Sequence, residues 1–299
     1  MIITEKHGKL EYLTAEGISV PHCFTTRMGG VSKGIFDSMN IAIKEGESEE
    51  NVRQNIAILA SALDFRPENL ICTRQTHSDI VRVVTKNDHI DIFHRDYPEC
   101  DALVTNDPGT ALMIYTADCT PMLFHDPVTG AVGAAHAGWR GTASAIGPKT
   151  VAAMVENFGC KPENIRAAIG PNIGFCHFET DSDVPDALRS AFGCDVKNIR
   201  AAIGPNIGFC HFETDSDVPE ALISAFGRDV EQFIRKSGDK YYVNLKEINA
   251  LILRSAGVQH IDISRSCTVC ENTRFWSHRY TKGQRGSQGA IILCKEGTK

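Results

Sequence analysis

Residues 102–142 read ALVTNDPGTALMIYTADCTPMLFHDPVTGAVGAAHAGWRGT, and this stretch decides the fold class. It holds four short apolar runs, Ala102 to Thr105, Ala111 to Tyr115, Met122 to His125 and Ala131 to His136. Each reads as a strand that hands over to a polar or glycine-bearing loop. Strands that follow one another without a helix between them fit a regular doubly wound fold poorly. Only after them comes a helical stretch, Thr142 to Phe158. Working outward, strands are expected at His22 to Thr26, Asp79 to Val84, Ile165 to Ile169, His260 to Ile263 and Ala290 to Cys294. Helices are expected at Glu50 to Leu63 and Leu245 to Ala256, the second with apolar residues at helical spacing. The class that results is α/β in the α+β sense: mixed β-sheets in the middle, helices outside.

Three residues stand at the edges of these runs: His77 in Arg74-Gln75-Thr76-His77, Cys119 in Thr116-Ala117-Asp118-Cys119, and His136, which opens His136-Ala137-Gly138-Trp139-Arg140-Gly141-Thr142. One thiolate and two imidazoles suit zinc, or copper, and three protein ligands leave a fourth position for water or substrate. Singly, each has a plainer explanation. A histidine at a strand end is usually structural or surface-bound, and a single buried cysteine is usually a small core hydrophobe. Convergence would make them a site. Without a metal, the same residues suggest a cysteine hydrolase with Cys119 as nucleophile and His136 as base.

Several other residues carry chemistry. Arg27, followed by Gly29-Gly30 and Ser32, suits an anion, although an ordinary glycine-rich turn with a surface arginine explains it equally well. Arg140, His278 and Arg279 are candidates for phosphate or ribose, with stacking on Trp139 the competing use of Arg140. Asp118 is either a general acid/base or an anchor for a ligating imidazole, and Asp101 has the same two uses. Cys267-Thr268-Val269-Cys270 has no second Cys-x-x-Cys to close a tetrahedral site, so its thiols read as bystanders.

The chain as a whole narrows the classes. Its 299 residues can bury one large core or two modest ones, and 42% hydrophobic with 23% charged residues is a globular balance. A net charge of −6 without a Lys/Arg block gives no reason to expect nucleic acid. No stretch reads as a signal peptide or a membrane span. Eleven cysteines without an export signal suggest reduced thiols in a cytoplasmic protein.

One anomaly interrupts the chain. Asn164 to Lys197 is repeated by Asn198 to Glu231 with four changes, Asp186/Glu220, Arg189/Ile223, Cys194/Arg228 and Lys197/Glu231. A unit holding a strand, a Gly-Pro turn and a helix in only two copies is not a solenoid repeat. Near-identity even at exposed-looking positions suggests a recent duplication or an assembly artefact. A closed core has room for one copy of the strand, so one copy, or a hybrid of both, is expected to dock while the surplus loops out or pairs elsewhere. Cys176, His177, Cys210 and His211 are doubled with it, and duplication confers no chemistry.

The motifs are specific as an ordered set: Phe24-Thr25-Thr26-Arg27-Met28-Gly29-Gly30-Val31-Ser32, Gln75-Thr76-His77, Cys100-Asp101-Ala102, Ala117-Asp118-Cys119, His136 to Thr142, Ile169-Gly170-Pro171-Asn172-Ile173-Gly174, Cys267-Thr268, and Phe275-Trp276-Ser277-His278-Arg279. From about Pro21 to Leu293 the chain resembles the laccase-domain family, labelled multicopper polyphenol oxidoreductase and also purine nucleoside phosphorylase. The resemblance implies one catalytic domain over residues 1–299, layered α/β/β/α, with zinc at His77, Cys119 and His136 and copper as the second choice. It implies phosphorolysis of adenosine, inosine, guanosine and methylthioadenosine, with purine nucleoside and phosphate as partners and adenosine deamination beside it. Some members are associated instead with peptidoglycan precursors, which fits the hydrolase alternative. A monomer or homodimer is expected. The chain departs from the family at the extra repeat and at Gln284-Arg285-Gly286-Ser287-Gln288-Gly289, a stretch that bears on substrate contact.

Overall fold

The computed structural model describes residues 1–89, 91, 93, 97–174, 232–237 and 240–295. In chain order, β1 (Ile2–His7), β2 (Leu10–Ala15) and β3 (His22–Thr25) precede helix α1 (Glu49–Leu63). Then come β4 (Leu70–Cys72), β5 (Val81–Val83), β6 (Ala102–Thr105), β7 (Ala111–Thr116), β8 (Thr120–His125) and β9 (Val132–Ala137). Helices α2 (Trp139–Ala143) and α3 (Ile146–Phe158) lead to β10 (Arg166–Ile169) and a small hairpin of β11 (Ile234–Ser237) and β12 (Lys240–Val243). The chain ends through α4 (Leu245–Ser255), β13 (His260–Ile263), α5 (His278–Thr281) and β14 (Gln288–Leu293).

Two mixed sheets result, ordered β1-β2-β3-β14-β7-β4 and β13-β10-β8-β9-β6-β5. Strand periodicity explains how they stack, because successive side chains face opposite ways. On β7, Leu112 and Ile114 join Leu123, Leu103 and Val132 between the sheets. Ala111 and Met113 face outward and pack with Val52, Ile56, Leu59 and Leu63 of α1. On β8 the alternation is mirrored: Met122 and Phe124 face Ile146, Met154, Ala250 and Leu253 of α3 and α4. Three apolar layers therefore separate helix, sheet, sheet and helices, the expected α/β/β/α arrangement. Both faces of the central strands are buried, so their sequences read as continuous apolar runs rather than alternations.

Two local differences have clear causes. The helix expected over Thr142 to Phe158 is broken at Ser144–Ala145, where Ala145 adopts φ +57°. Pro148 is responsible: in an uninterrupted helix its ring would strike the carbonyl of Ser144, four residues back. The β1–β2 hairpin and β4 were not expected. They sit at sheet edges or are very short, and β1 has no fully buried residue to give it a pattern.

The first copy of the repeat supplies β10, which pairs antiparallel with β8 and parallel with β13. A Cβ on Gly170, just after it, would lie 2.2 Å from the Phe24 ring, so the Gly-Pro turn can approach the other sheet only without a side chain. The second copy, with Cys210 and His211, lies outside the described residues, as do Cys176 and His177. Among the described residues no helix is long and apolar enough to cross a membrane.

Candidate metal centre and active site

The candidate site lies where the chain crosses from one sheet to the other. β4 belongs to the first sheet and β5 to the second, and the loop between them carries His77. β7 and β8 are likewise in different sheets, and their short connection carries Cys119. His136 is the penultimate residue of β9 and pairs across β8 with Pro121, two residues beyond Cys119. Sheet crossovers and register thus bring together residues far apart in sequence.

The ligand atoms of His77, Cys119 and His136 lie within 4.8 Å of one another, and Cys119 Sγ stands 3.8 Å from His77 Nε2. Tetrahedral zinc with these ligands needs donor atoms about 3.5 Å apart, so the tripod fits such an ion with small adjustments. His136 is buried, Cys119 half-buried and His77 exposed, leaving the tripod open on one side. Gly138 makes the spacing possible. A Cβ there would stand 2.8 Å from His77 Cδ2 and 3.3 Å from Cys119 Sγ.

Asp101 organises this wall. Its fully buried carboxylate accepts from His136 Nδ1 at 2.8 Å, from the backbone N–H groups of Thr76, His77 and Ser78 at 3.1, 3.1 and 2.8 Å, and from Ser78 Oγ at 2.8 Å. The bond from Nδ1 leaves His136 Nε2 as the nitrogen available to a ligand. Burial opposes ionisation of Asp101, but these donors, His136 foremost, hold it at about 2. Of the two roles open to it, Asp101 takes that of imidazole anchor. Gln75 fixes the same loop from the other side. Its amide accepts from Tyr115 N at 2.7 Å and donates to Tyr115 O at 2.8 Å, standing in for a neighbouring strand. Burial disfavours charge on both Cys119 and His136, yet each favours the other's charged form. Cys119 is drawn below the usual thiol range, and His136 is held above the usual imidazole range.

The tripod opens on a cavity of about 480 Å³ whose facing wall is basic, with Lys44, Arg140, His278, Arg279 and Arg285 among its lining. Asp118 braces that wall. At φ +90° it turns its carboxylate away from the tripod, accepting from Thr268 Oγ1 at 2.6 Å and from Arg279 N at 2.7 Å. Arg285 donates to Gly286 O at 2.9 Å, to Ser287 Oγ at 3.0 Å and to His278 Nδ1 at 3.3 Å, while its buried Nε has no protein partner. Burial and then the Arg285 cation lower His278, favouring its neutral form. Arg140 lies over the Trp139 ring, 4.2 Å from its centroid, and still reaches the cavity.

Sequence reading placed Arg140, His278, Arg279 and Asp118 near the ligands, and all four line the cavity. Arg27 and Ser32 do not. Arg27 donates to Asp37 O at 3.0 and 2.8 Å and to Asn272 O at 3.0 Å, and it stacks 4.0 Å from the Trp276 centroid. Ser32 is fully buried and accepts from Asn55 Nδ2 at 3.0 Å. Both are engaged in holding the glycine-rich turn. Lys44 and the clamping role of Gln75 were not anticipated. Lys44 carries no sequence signal, whereas Gln75 stands inside a quoted motif.

A layered α+β scaffold with a His–Cys–His cluster facing a basic cavity defines the class by its architecture and its candidate metal site. The chain belongs to the multi-copper polyphenol oxidoreductase laccase family, whose model matches residues 21–192 and 186–295. It is 33% identical over 286 residues, 95% of this chain and 92% of the relative, to a purine nucleoside phosphorylase of Deinococcus radiodurans. To the purine nucleoside phosphorylase YlmD of Geobacillus stearothermophilus it is 34% identical, covering 91% of this chain and 89% of that one. The crystal structure of YlmD from Geobacillus stearothermophilus superposes with a TM-score of 0.79, at 32% identity over 98% and 99% of the two chains.

Proposed function

We propose that this protein is a zinc-dependent purine nucleoside phosphorylase acting on adenosine, inosine, guanosine and methylthioadenosine, with adenosine deamination as a side activity. The observation that carries the reading is one cavity walled on one side by a three-donor tripod and on the other by cationic side chains. Relatives named purine nucleoside phosphorylase over nearly the whole chain support it. Zinc held by His77, Cys119 and His136 would supply Lewis acidity at an open coordination position; copper is the second candidate for the same donors.

The rest falls to the protein's own groups. Phosphorolysis needs an anion held against C1′ of the ribose while the base departs, through a transition state that resembles an oxocarbenium ion. Arg285, Arg279, Arg140 and Lys44 are offered as the groups that hold the phosphate. His278 takes an N–H from Arg285 at Nδ1, so its own proton resides on Nε2, where it can be donated to the departing purine. Asp118 is assigned the positioning of the Cys119 loop and of Arg279. Metal content should be measured together with phosphate-dependent release of hypoxanthine from inosine. About one zinc per chain is expected, and Cys119→Ala should lower release by on the order of 10³-fold or more. A metal-free protein without release would overturn the reading.

One observation favours a second reading. Asp101, His136 and Cys119 line up as carboxylate, imidazole and thiol, the arrangement of a cysteine nucleophile with an oriented base. A metal-free hydrolase acting on an amide such as a peptidoglycan precursor would use it. Rapid alkylation of Cys119 and indifference to chelators would select that reading.

A further inference from the structure

The Cys267-Thr268-Val269-Cys270 turn is used by neither reading, yet it touches the site through one residue. Cys267 is buried and Cys270 exposed, and both are thiols. One hydrogen-bonded turn joins them: Glu271 N donates to Cys267 O at 2.9 Å, and Cys270 N donates to Cys267 Sγ at 3.2 Å. Thr268, between them, is fully buried. Its N–H donates to Asn172 O at 3.0 Å, and its hydroxyl donates to Asp118 Oδ1 at 2.6 Å. Asp118 in turn precedes Cys119 and accepts from Arg279 N.

We infer that Cys267 and Cys270 form a thiol–disulfide modification site that regulates the adjacent cavity, with small-molecule disulfides as the oxidant. The exposed Cys270 thiolate attacks one sulfur of the small disulfide, forming a mixed disulfide and releasing one small thiol, which takes up the proton Cys270 lost. Cys267 then attacks the Cys270 sulfur, and the second small thiol leaves with the Cys267 proton. Two protein thiols are oxidised to one disulfide, and the small disulfide is reduced to two thiols.

Geometry couples this step to the site. A disulfide needs its Cβ atoms about 3.5–4.5 Å apart and a dihedral of roughly 90° about the S–S bond, whereas Cys267 Sγ now accepts from the Cys270 amide at 3.2 Å. Closure swings that sulfur onto the Cys270 side chain and reshapes the turn around Thr268. A hydroxyl held 2.6 Å from Asp118 tolerates only a small shift before its bond is lost. Asp118 then loses one of the two donors that hold the Cys119 loop to the basic wall.

The test uses the intact reduced protein and Cys270→Ser, each incubated with oxidised glutathione and then alkylated for peptide mass mapping. The wild type should yield a linked Cys267–Cys270 peptide and lose about tenfold in phosphate-dependent hypoxanthine release, the effect of one hydrogen bond to a charged group. Dithiothreitol should restore it, and Cys270→Ser should keep its activity throughout. Both cysteines remaining alkylatable, or equal inactivation of the two proteins, would overturn the inference; the latter would place the oxidation at Cys119. The activity arm rests on the phosphorylase reading. A second arm does not: iodoacetamide should label Cys119 several-fold faster once the disulfide has formed, and an unchanged rate would overturn the coupling even in a protein that never cleaves inosine.

Discussion

The two walls of the cavity are built on opposite principles. The tripod wall is a closed hydrogen-bond system, in which a single buried carboxylate receives three consecutive main-chain N–H groups and an imidazole at 2.8–3.1 Å. The basic wall gathers positive charge around one carboxylate, Asp118, whose two oxygens hold Thr268 and Arg279 N. A wall of the first kind fixes donor atoms to within tenths of an ångström, as a metal requires. A wall of the second kind concentrates positive charge, as a transient anion requires. Rigidity and positive charge are therefore divided between the two sides of one cleft.

The largest effect expected concerns the strand that starts beside Cys119 and ends away from the cavity. His125, at the far end of β8, is nearly fully buried, and burial lowers its imidazole to about 4. A depressed folded-state value means that the unfolded chain takes up the proton first. Stability should thus be full above about pH 6.5 and fall as pH drops towards 4, by about 3 kcal/mol in all. Urea unfolding across that range would measure the fall, and His125→Gln should flatten it. A slope unchanged in the variant would trace acid sensitivity to the cleft instead.

Next comes the anchor of the tripod wall. Asp101→Asn should weaken zinc binding about 10–100-fold, because the imidazole loses its charged partner, as a competition titration with a chromogenic chelator would show. Phosphate affinity should change far less. Comparable losses in both would mean that the walls are not independent. On the basic side, Arg285→Lys should raise the KM for phosphate about tenfold with little change in kcat, since lysine offers no planar fork. Arg27→Lys is its control. It should cost about 1–2 kcal/mol of stability through lost carbonyl and ring contacts and leave the KM for phosphate unchanged. A raised KM in that variant would return the glycine-rich turn to the site.

The same pair of arginines marks what could be read from the sequence. Apolar runs separated by polar loops revealed an α+β core with sheets in the middle, and the family resemblance carried by the ordered motifs supplied its two-sheet layering and singled out His77, Cys119 and His136. They did so because strand ends and tight loops leave compact signatures. Arg27 had the composition of an anion site, arginine among glycines and serine, yet its guanidinium meets main-chain carbonyls. Arg285 stands in the stretch that departs from the family and proves to line the cavity. Composition records which donors exist, and only the fold decides what they meet. Gly138 illustrates the same limit, since nothing in a glycine tells that two ligands will flank it. The break at Ser144–Ala145 follows from a single residue in the sequence, because in a continuous helix the Pro148 ring would strike the carbonyl of Ser144, four places earlier.

The sheet crossovers carry one more consequence. Because His77 and Cys119 belong to two of the connections that pass between the sheets, an ion gripped by them would tie segments 42 residues apart in the chain. It would act as a removable cross-link, narrowing the unfolded ensemble as a covalent bridge does. Occupancy of the candidate metal centre and endurance of the sandwich against heat would then rise and fall together, so that starvation for the ion would first be felt as fragility.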